Sequence, residues 1–337
     1  MYDAYTGLIR ATYRPFNALD EIESPTVVTF SLDGQRILCG GFRTDRVIHM
    51  FDLALPGRES TILRLGKTRR STDGQKGLVS AIASTHDAKY FCVGTYSPGS
   101  IYIYDDRAGN FPNNTIMNGL CVVGHGRSHS RKKRRFVDVD EIDGSGNEVG
   151  NDHFLRQAKS KWFQTRAQGG ITQLKFAPNQ EYLLYSSSRR SDTILLWDLR
   201  MLSGEGGTTS PIRGIGSFRT VSNTNQRLQF DLSDDGNTLY AGGMDRCVRI
   251  YDTQSGRLLN NLDGMDDATN GVSFTRLSNQ KSYLAVATGS RRFAEEYESD
   301  EDERPTRTIQ TPGHLRLYKL GVDKKDASTT IQDEKVP

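Results

Sequence analysis

The sequence is short of the residues that stage covalent or metal chemistry. Among 337 residues there are four cysteines, six histidines and two tryptophans. Cys39, Cys92, Cys121 and Cys247 form no CxxC pair and share no ligand spacing with a histidine, which argues against zinc-ribbon and dithiol redox chemistry. All but Cys121 sit in strand-like runs, where a thiol acts as a small buried hydrophobe. No stretch approaches the ~20 consecutive apolar residues of a membrane helix, and no charged start followed by an apolar core marks a secretory signal. The expectation is a soluble protein of a reducing compartment. Charge of one sign is missing too. Lys and Arg number 44 against 41 Asp and Glu, so the overall balance names no partner.

What the chain has instead is a repeat. Asn225 to Gly256, NQRLQFDLSDDGNTLYAGGMDRCVRIYDTQSG, reads as three short strands closed by turns. LQFDL alternates apolar and polar residues before Asp235-Gly236, TLYAGG stops at Asp245, and CVRIY alternates again into Asp252. Period-two alternation buries one side of a strand, and Asp-Gly or Gly-Gly steps supply the backbone freedom that tight hairpins need. A turn closed by Gly256 then leads to a fourth strand, LLNNL.

The unit recurs along the chain. MYDAYTG reads as the end of a unit, with Tyr2-Asp3 matching Tyr251-Asp252 and Thr6-Gly7 matching Ser255-Gly256, and LIRATY follows as its last strand. Later copies end at Phe51-Asp52, Tyr104-Asp105 and Trp197-Asp198, and the last ends in HLRLYKL, where Lys319 replaces the aspartate. Asp3, Asp52, Asp105, Asp198 and Asp252 lie 49, 53, 93 and 54 residues apart. A four-stranded propeller blade repeats every ~40–45 residues; longer loops and one large insertion account for the excess. The aromatic packs between blades and the aspartate ties down the adjoining turns. No segment of the repeats sustains the 3.6-residue period of a helix.

The reading is therefore all-β: a WD-repeat β-propeller with five recognisable blades plus an N-terminal remnant of another. It spans residues 1–320, with a basic and acidic insertion at 126–168, an acidic loop at 295–311 and a disordered tail at 321–337. Met1 falls inside a blade, and the last blade has no completing strand within the chain. Both features predict an incomplete ring with an open or strained seam.

The insertion carries ten basic and six acidic residues. Its cluster Arg131, Lys132, Lys133, Arg134 and Arg135 fits a nuclear-import signal first, a nucleic-acid arm second, and a merely solvated charge run last. Its end, from Asp152, is compatible with a short helix. Glu295 to Arg304 is an acidic run, in which Ser299 is a candidate for phosphorylation.

No enzyme or cofactor site emerges. Gly66-Lys67-Thr68 lacks the preceding glycine of a phosphate loop, since Thr61 stands there. The acidic stretch Val137 to Glu148 lacks the spacing of a calcium loop. His125 and His129 have no further ligands nearby, so no metal is expected. Arginines at turns are more informative. Arg43 and Arg46, Arg189 and Arg190, Arg246, and Arg291 and Arg292 follow the second strand of their respective units, and Arg227 precedes a first strand. Propeller topology gathers such turns onto one face, where arginines can track phosphates. Taken singly, each arginine also fits a role in solvating its turn.

Several strings together resemble the telomerase Cajal body protein family: YDAYTGLIRATYRPFNALDE, ILCGGFRTDRVIHMFD, GGITQLKFAPN, ILLWDLR, TNQRLQFDL, TNGVSF and ATGSRRF. Ordinary WD repeats share the aromatic-Asp endings but not TNQR, TNGVS or YRPFNALDE. The resemblance implies a nuclear, non-catalytic protein that binds small Cajal-body guide RNAs and telomerase RNA. It implies as partners the proteins of telomerase and guide-RNA ribonucleoproteins, which it would direct to Cajal bodies, and neither DNA nor membrane. Recognition of a short RNA loop agrees with the physics of exposed bases stacking on aromatic or arginine planes. The alternative is a protein-interaction scaffold without RNA. A phosphoinositide-binding propeller is a weaker third reading, because GSRRF reverses the order of the paired-arginine motif used there.

Overall fold

Each repeat folds as a four-stranded antiparallel meander. The computed structural model describes residues 1–3, 5–43, 46–65, 77–86, 90–97, 99–105, 120–124, 169–191, 193–202, 212–215, 226–277, 281–289, 313–322 and 329–334. Among them are five sheets, each built in chain order. The first holds β1 (Val27–Phe30), β2 (Arg36–Gly40), β3 (Val47–Asp52) and β4 (Thr61–Arg64). The second holds β5 (Val79–Ser84), β6 (Tyr90–Thr95), β7 (Ser100–Asp105) and β8 (Leu120–Gly124). β9 (Ile171–Ala177), β10 (Gln180–Ser188), β11 (Ile194–Asp198) and β12 (Arg213–Ile215) make the third. β13 (Phe230–Leu232), β14 (Thr238–Gly242), β15 (Val248–Asp252) and β16 (Leu258–Leu262) make the fourth. The fifth is β17 (Thr269–Arg276), β18 (Ser282–Thr288), β19 (His314–Val322) and β20 (Thr329–Glu334).

β20 corrects the expectations of a disordered 321–337 tail and of a last blade left uncompleted. It pairs with β19 from Leu317↔Glu334 to Val322↔Thr329 and supplies the fourth strand. Cys121, read as lying outside a strand, belongs to β8.

Turn chemistry explains the registers. Between β13 and β14 the Ser233 hydroxyl accepts from Thr238 N at 2.9 Å and donates to Thr238 O, while Gly236 takes φ 70°. Ser31, Arg36 and Gly34 (φ 69°) repeat this between β1 and β2. Side-chain oxygens two residues from the apex thus satisfy the backbone groups that a tight turn leaves over.

Blade-end aspartates cap the turn after the third strand at Asp252 and Asp52, and in the N-terminal segment at Asp3. Asp252 accepts from Ser255 N at 2.7 Å, Gly256 N donates to Asp252 O at 2.8 Å, and Asp252 N donates to Arg257 O at 2.9 Å. The N-terminal remnant has the same construction. Asp3 accepts from Thr6 N at 2.9 Å and Tyr5 N at 3.0 Å, Gly7 N donates to Asp3 O at 2.9 Å, and Asp3 N donates to Leu8 O at 2.9 Å. Gly7 and Gly256 share a left-handed φ, 67° and 71°. Hydrogen bonds from Ser255 to Asp252, and from the Thr6 and Tyr5 amides to Asp3, hold both carboxyls below the ordinary aspartate range. Asp52 likewise accepts from Ala54 N at 2.8 Å.

The chain forms two compact units: Met1–Leu174 with Leu199–Ser210, and Lys175–Asp198 with Pro211–Pro337. In the first, Leu38, Ile48, Leu63, Ile82, Phe91 and Tyr104 form part of one buried cluster, in which Tyr104 stacks on Phe91 at 5.1 Å. A second cluster gathers Ile37, Cys39, Phe42, Val47 and Phe51. Against it, Tyr13 of the N-terminal segment donates to Leu53 O at 2.8 Å. In the second unit, β13–β16 feeds two clusters. Leu239, Ala241 and Tyr251 join Tyr185, Leu196, Ile215 and Phe230 on one side, and Tyr240, Val248 and Ile250 join Val272, Leu284 and Tyr318 on the other. Cys39, Cys92 and Cys247 are buried and free, and burial pushes the Cys39 thiol up to about 11 and the Cys247 thiol up to about 12.

The remnant's aromatic differs from the others in one respect. Tyr251 is 4% exposed, but its counterpart Tyr2 is 69% exposed. Tyr251→Ala is expected to cost about 3–5 kcal/mol in denaturant unfolding, and Tyr2→Ala less than about 0.5 kcal/mol.

Candidate functional site

The second unit is stitched along its first strands by one carboxylate. Asp231 on β13 is 7% exposed and pairs with Lys175 on β9. It also accepts from Leu232 N at 2.7 Å and from Phe274 N of β17 at 2.9 Å. A buried carboxylate is tolerated when a cation and backbone amides occupy its lone pairs, and here these partners lie on three successive sheets.

Above this stitch, the ends of the strands come together. Three of the strings that carry the family resemblance, TNQRLQFDL, TNGVSF and ATGSRRF, meet there. Gln226 Nε2 donates to Gly289 O at 2.9 Å, and Asn270 Nδ2 donates to the same oxygen at 2.8 Å. Gln229 N donates to Asn270 O at 3.1 Å, Gly242 N to Gln229 O at 3.1 Å, and Gly289 N to Ala268 O at 2.9 Å. Thr269, fully buried, accepts from Gly243 N at 2.6 Å, and its hydroxyl lies 2.8 Å from both Gly243 O and Cys247 O. The entry into β13, the β14–β15 turn, the β16–β17 connection and the exit from β18 are thereby one hydrogen-bonded assembly.

The arginines sit on this assembly to different degrees. Arg227 lies in the entry into β13, exposed at its surface yet closely packed by protein. Burial first, and the charge of Arg189 second, hold its guanidinium below the ordinary arginine value. Arg227 and Arg189 are therefore electrostatic neighbours. Arg189 is half-buried, with its Nε atom inside the protein, and Arg190 beside it is exposed. Arg246 is exposed in the β14–β15 turn, whose Asp245 forms an ion pair with Arg249. Arg43 and Arg46 belong to the first unit, where Arg43 N donates to Glu23 at 2.6 Å. Arg291, Arg292, the cluster Arg131 to Arg135, the insertion 126–168 and the loop 295–311 lie outside the described residues.

Arg190 and Arg246 adopt left-handed backbone, at φ 56° and 65°. Counting six residues back from the blade-end aspartate gives Arg46, Gly99 and Arg246 in three units, and Gly99 has φ 79°. Gly99 and Arg246 thus share a left-handed conformation that glycine adopts without steric cost, while Arg46 is not among the residues with positive φ.

Sequence reasoning named the arginines but not Gln226, Asn270, Asp231 or Lys175. The polar letters of TNQR and TNGVS were visible as unusual. Their contact with a carbonyl 63 and 19 residues away was not. Among the described residues, no group of three or more His, Cys, Asp or Glu could hold a metal ion.

A model of the WD domain, G-beta repeat, matches residues 222–252, the stretch that carries Arg227, Asp231 and Arg246. The chain is 30% identical over 326 residues to telomerase Cajal body protein 1 of Homo sapiens, covering 94% of this chain and 46% of that protein. It is 29% identical over 311 residues to the Bos taurus protein of the same name, covering 90% of this chain and 44% of that one. This chain belongs to the telomerase Cajal body protein family. It spans about half the length of the curated relatives it matches. The fold is likewise that of the β-propeller domain of Cps50 (Swd1) from Myceliophteria thermophila, with a TM-score of 0.50 at 10% identity over 92% of this chain and 71% of that one. The chain is a WD-repeat β-propeller protein related to proteins whose name joins telomerase and the Cajal body.

The stitch and the arginine turn make separable predictions. Asp231→Ala should lose about 3 kcal/mol in urea unfolding, because it leaves a lysine and two amides unpaired, while Lys175→Ala, truncating a side chain more than a third exposed, should lose about 1 kcal/mol. Arg246→Gly should be neutral or stabilising by up to about 1 kcal/mol, since it relieves a left-handed arginine.

Proposed function

We propose that this chain is a non-catalytic RNA-binding scaffold. It holds small Cajal-body guide RNAs and telomerase RNA, keeps their ribonucleoproteins in nuclear Cajal bodies, and supports telomerase assembly and trafficking through telomerase and guide-RNA ribonucleoprotein proteins. The observation that carries the reading is the meeting of three family-resembling strings at the Gly289 carbonyl, next to Arg227 with Arg189 as an electrostatic neighbour. Clustered arginines on a rigid end suit the phosphates of a looped RNA strand, and a partly desolvated guanidinium gains more from an anion than one in open water. The names of the relatives point the same way.

The chemistry asks for no catalytic step. Binding draws on charge-assisted hydrogen bonds from guanidinium to phosphate and on exposed RNA bases stacking on arginine planes. Specificity for a particular loop comes from the fixed spacing of the arginines on the assembly.

Crosslinking in cells followed by sequencing of the bound RNA should recover small Cajal-body RNAs and telomerase RNA. In vitro, binding should weaken steeply with salt. Arg227→Ala or Arg246→Ala should each reduce the slope of log K against log salt by about 0.7–0.9. Salt-independent or absent RNA binding, together with protein partners that survive nuclease treatment, would replace this reading with a protein-interaction scaffold.

A further inference from the structure

We infer that Gln226 and Asn270 are positioning residues: by sharing the Gly289 carbonyl they fix the backbone that carries Arg227, so that its guanidinium is presented to an RNA phosphate. The inference rests on the RNA-binding reading above and adds two residues to it that make no ionic contact themselves.

The argument begins with the carbonyl. A carbonyl oxygen has two lone pairs, and Gly289 O receives two side-chain amides, from Gln226 at 2.9 Å and Asn270 at 2.8 Å. Gly289 is fixed from its other side by its own N–H to Ala268 O at 2.9 Å. Three residues beyond Gln226, Gln229 is held by its N–H to Asn270 O and by its carbonyl to Gly242 N, both at 3.1 Å. Arg227 therefore lies on a short span of backbone tied down at each end. Asn270 serves both ties, with its side chain at one and its carbonyl at the other.

Arg227 is exposed, so the reach of its side chain is set by the backbone beneath it. If that backbone is set before RNA arrives, the ordering cost is met during folding rather than on binding, and affinity rises with no added contact. Glycine at 289 suits this role because the oxygen is the part used. A Cβ there would have Asn270 Nδ2 at 3.8 Å, an ordinary contact.

A merely structural stitch between two sheets would change stability and leave RNA binding alone, so the test reads both. The full chain is titrated with a labelled RNA hairpin bearing a single-stranded loop, and with an unstructured single strand of equal length. Gln226→Met and Asn270→Ala should each weaken hairpin binding about five- to tenfold, with the salt slope unchanged because the phosphate contacts still form once bound. Arg227→Ala should lower the slope itself by about 0.7–0.9. In the free protein, phenylglyoxal modification of Arg227, read by peptide mass spectrometry, should be faster in both amide variants than in the parent. Folded amide variants that bind the hairpin like the parent, or that leave Arg227 labelling unchanged, would overturn the positioning role while leaving RNA binding intact. A parent protein that binds neither RNA would overturn the RNA reading, and the inference with it.

Discussion

A sheet with apolar side chains on both faces has nowhere to stand alone. In β14, Leu239 and Ala241 point into one cluster and Tyr240 into the other. Across the ladder, Tyr251 sides with Leu239, while Val248 and Ile250 side with Tyr240. Strand alternation therefore produces a two-sided object that is stable only between two others of its kind. The rest of the second unit follows from that requirement. The β13–β16 sheet is flanked on each side, its third strand ends in an aromatic that a neighbour can cover, and its turns are short enough to leave the faces clear. Asp231 adds a polar complement to this apolar logic: one carboxylate, near the strand ends, links first strands that share no backbone ladder.

The parts legible in the sequence were those governed by neighbours in the chain. Asp235-Gly236 and Ser255-Gly256 fix their turns through bonds spanning five residues or fewer, so their letters suffice. The aromatic-Asp endings are equally local, and even the remnant at Tyr2-Asp3 could be recognised from them. β20 escaped notice because TTIQDE has little alternation and an outermost strand needs an apolar pattern on neither side. Its pairing with β19 is decided by that strand, in keeping with the context dependence of strand propensity. The candidate site was half legible. Arginines after second strands could be counted, but which of them become neighbours depends on long-range closure. Lys175 and Asp231 stand 56 residues apart and Gln226 and Gly289 stand 63 apart. Nothing in the local pattern of either member announces the other.

The two ends of a blade meet a common backbone demand in different ways. After the third strand, Gly7 and Gly256 take the left-handed conformation and an aspartate caps the turn, so the end is relaxed and neutralised by its own hydrogen bonds. After the second strand, Gly99 answers the demand in one sheet, while Arg246 answers it in another at the corresponding position. Arg190 does so in the turn before β11. Left-handed backbone costs an arginine roughly 1–2 kcal/mol more than it costs glycine. Glycine would meet the same backbone demand at less cost; the arginines that stand at these turns place guanidinium groups at that end of the second unit. There the adjoining β13 entry carries Arg227 and the second-strand turn of β10 carries Arg189. Under the proposed RNA-binding role, a polyanion would offset the repulsion among these cations, while the left-handed φ of the turns is a backbone cost that binding leaves in place.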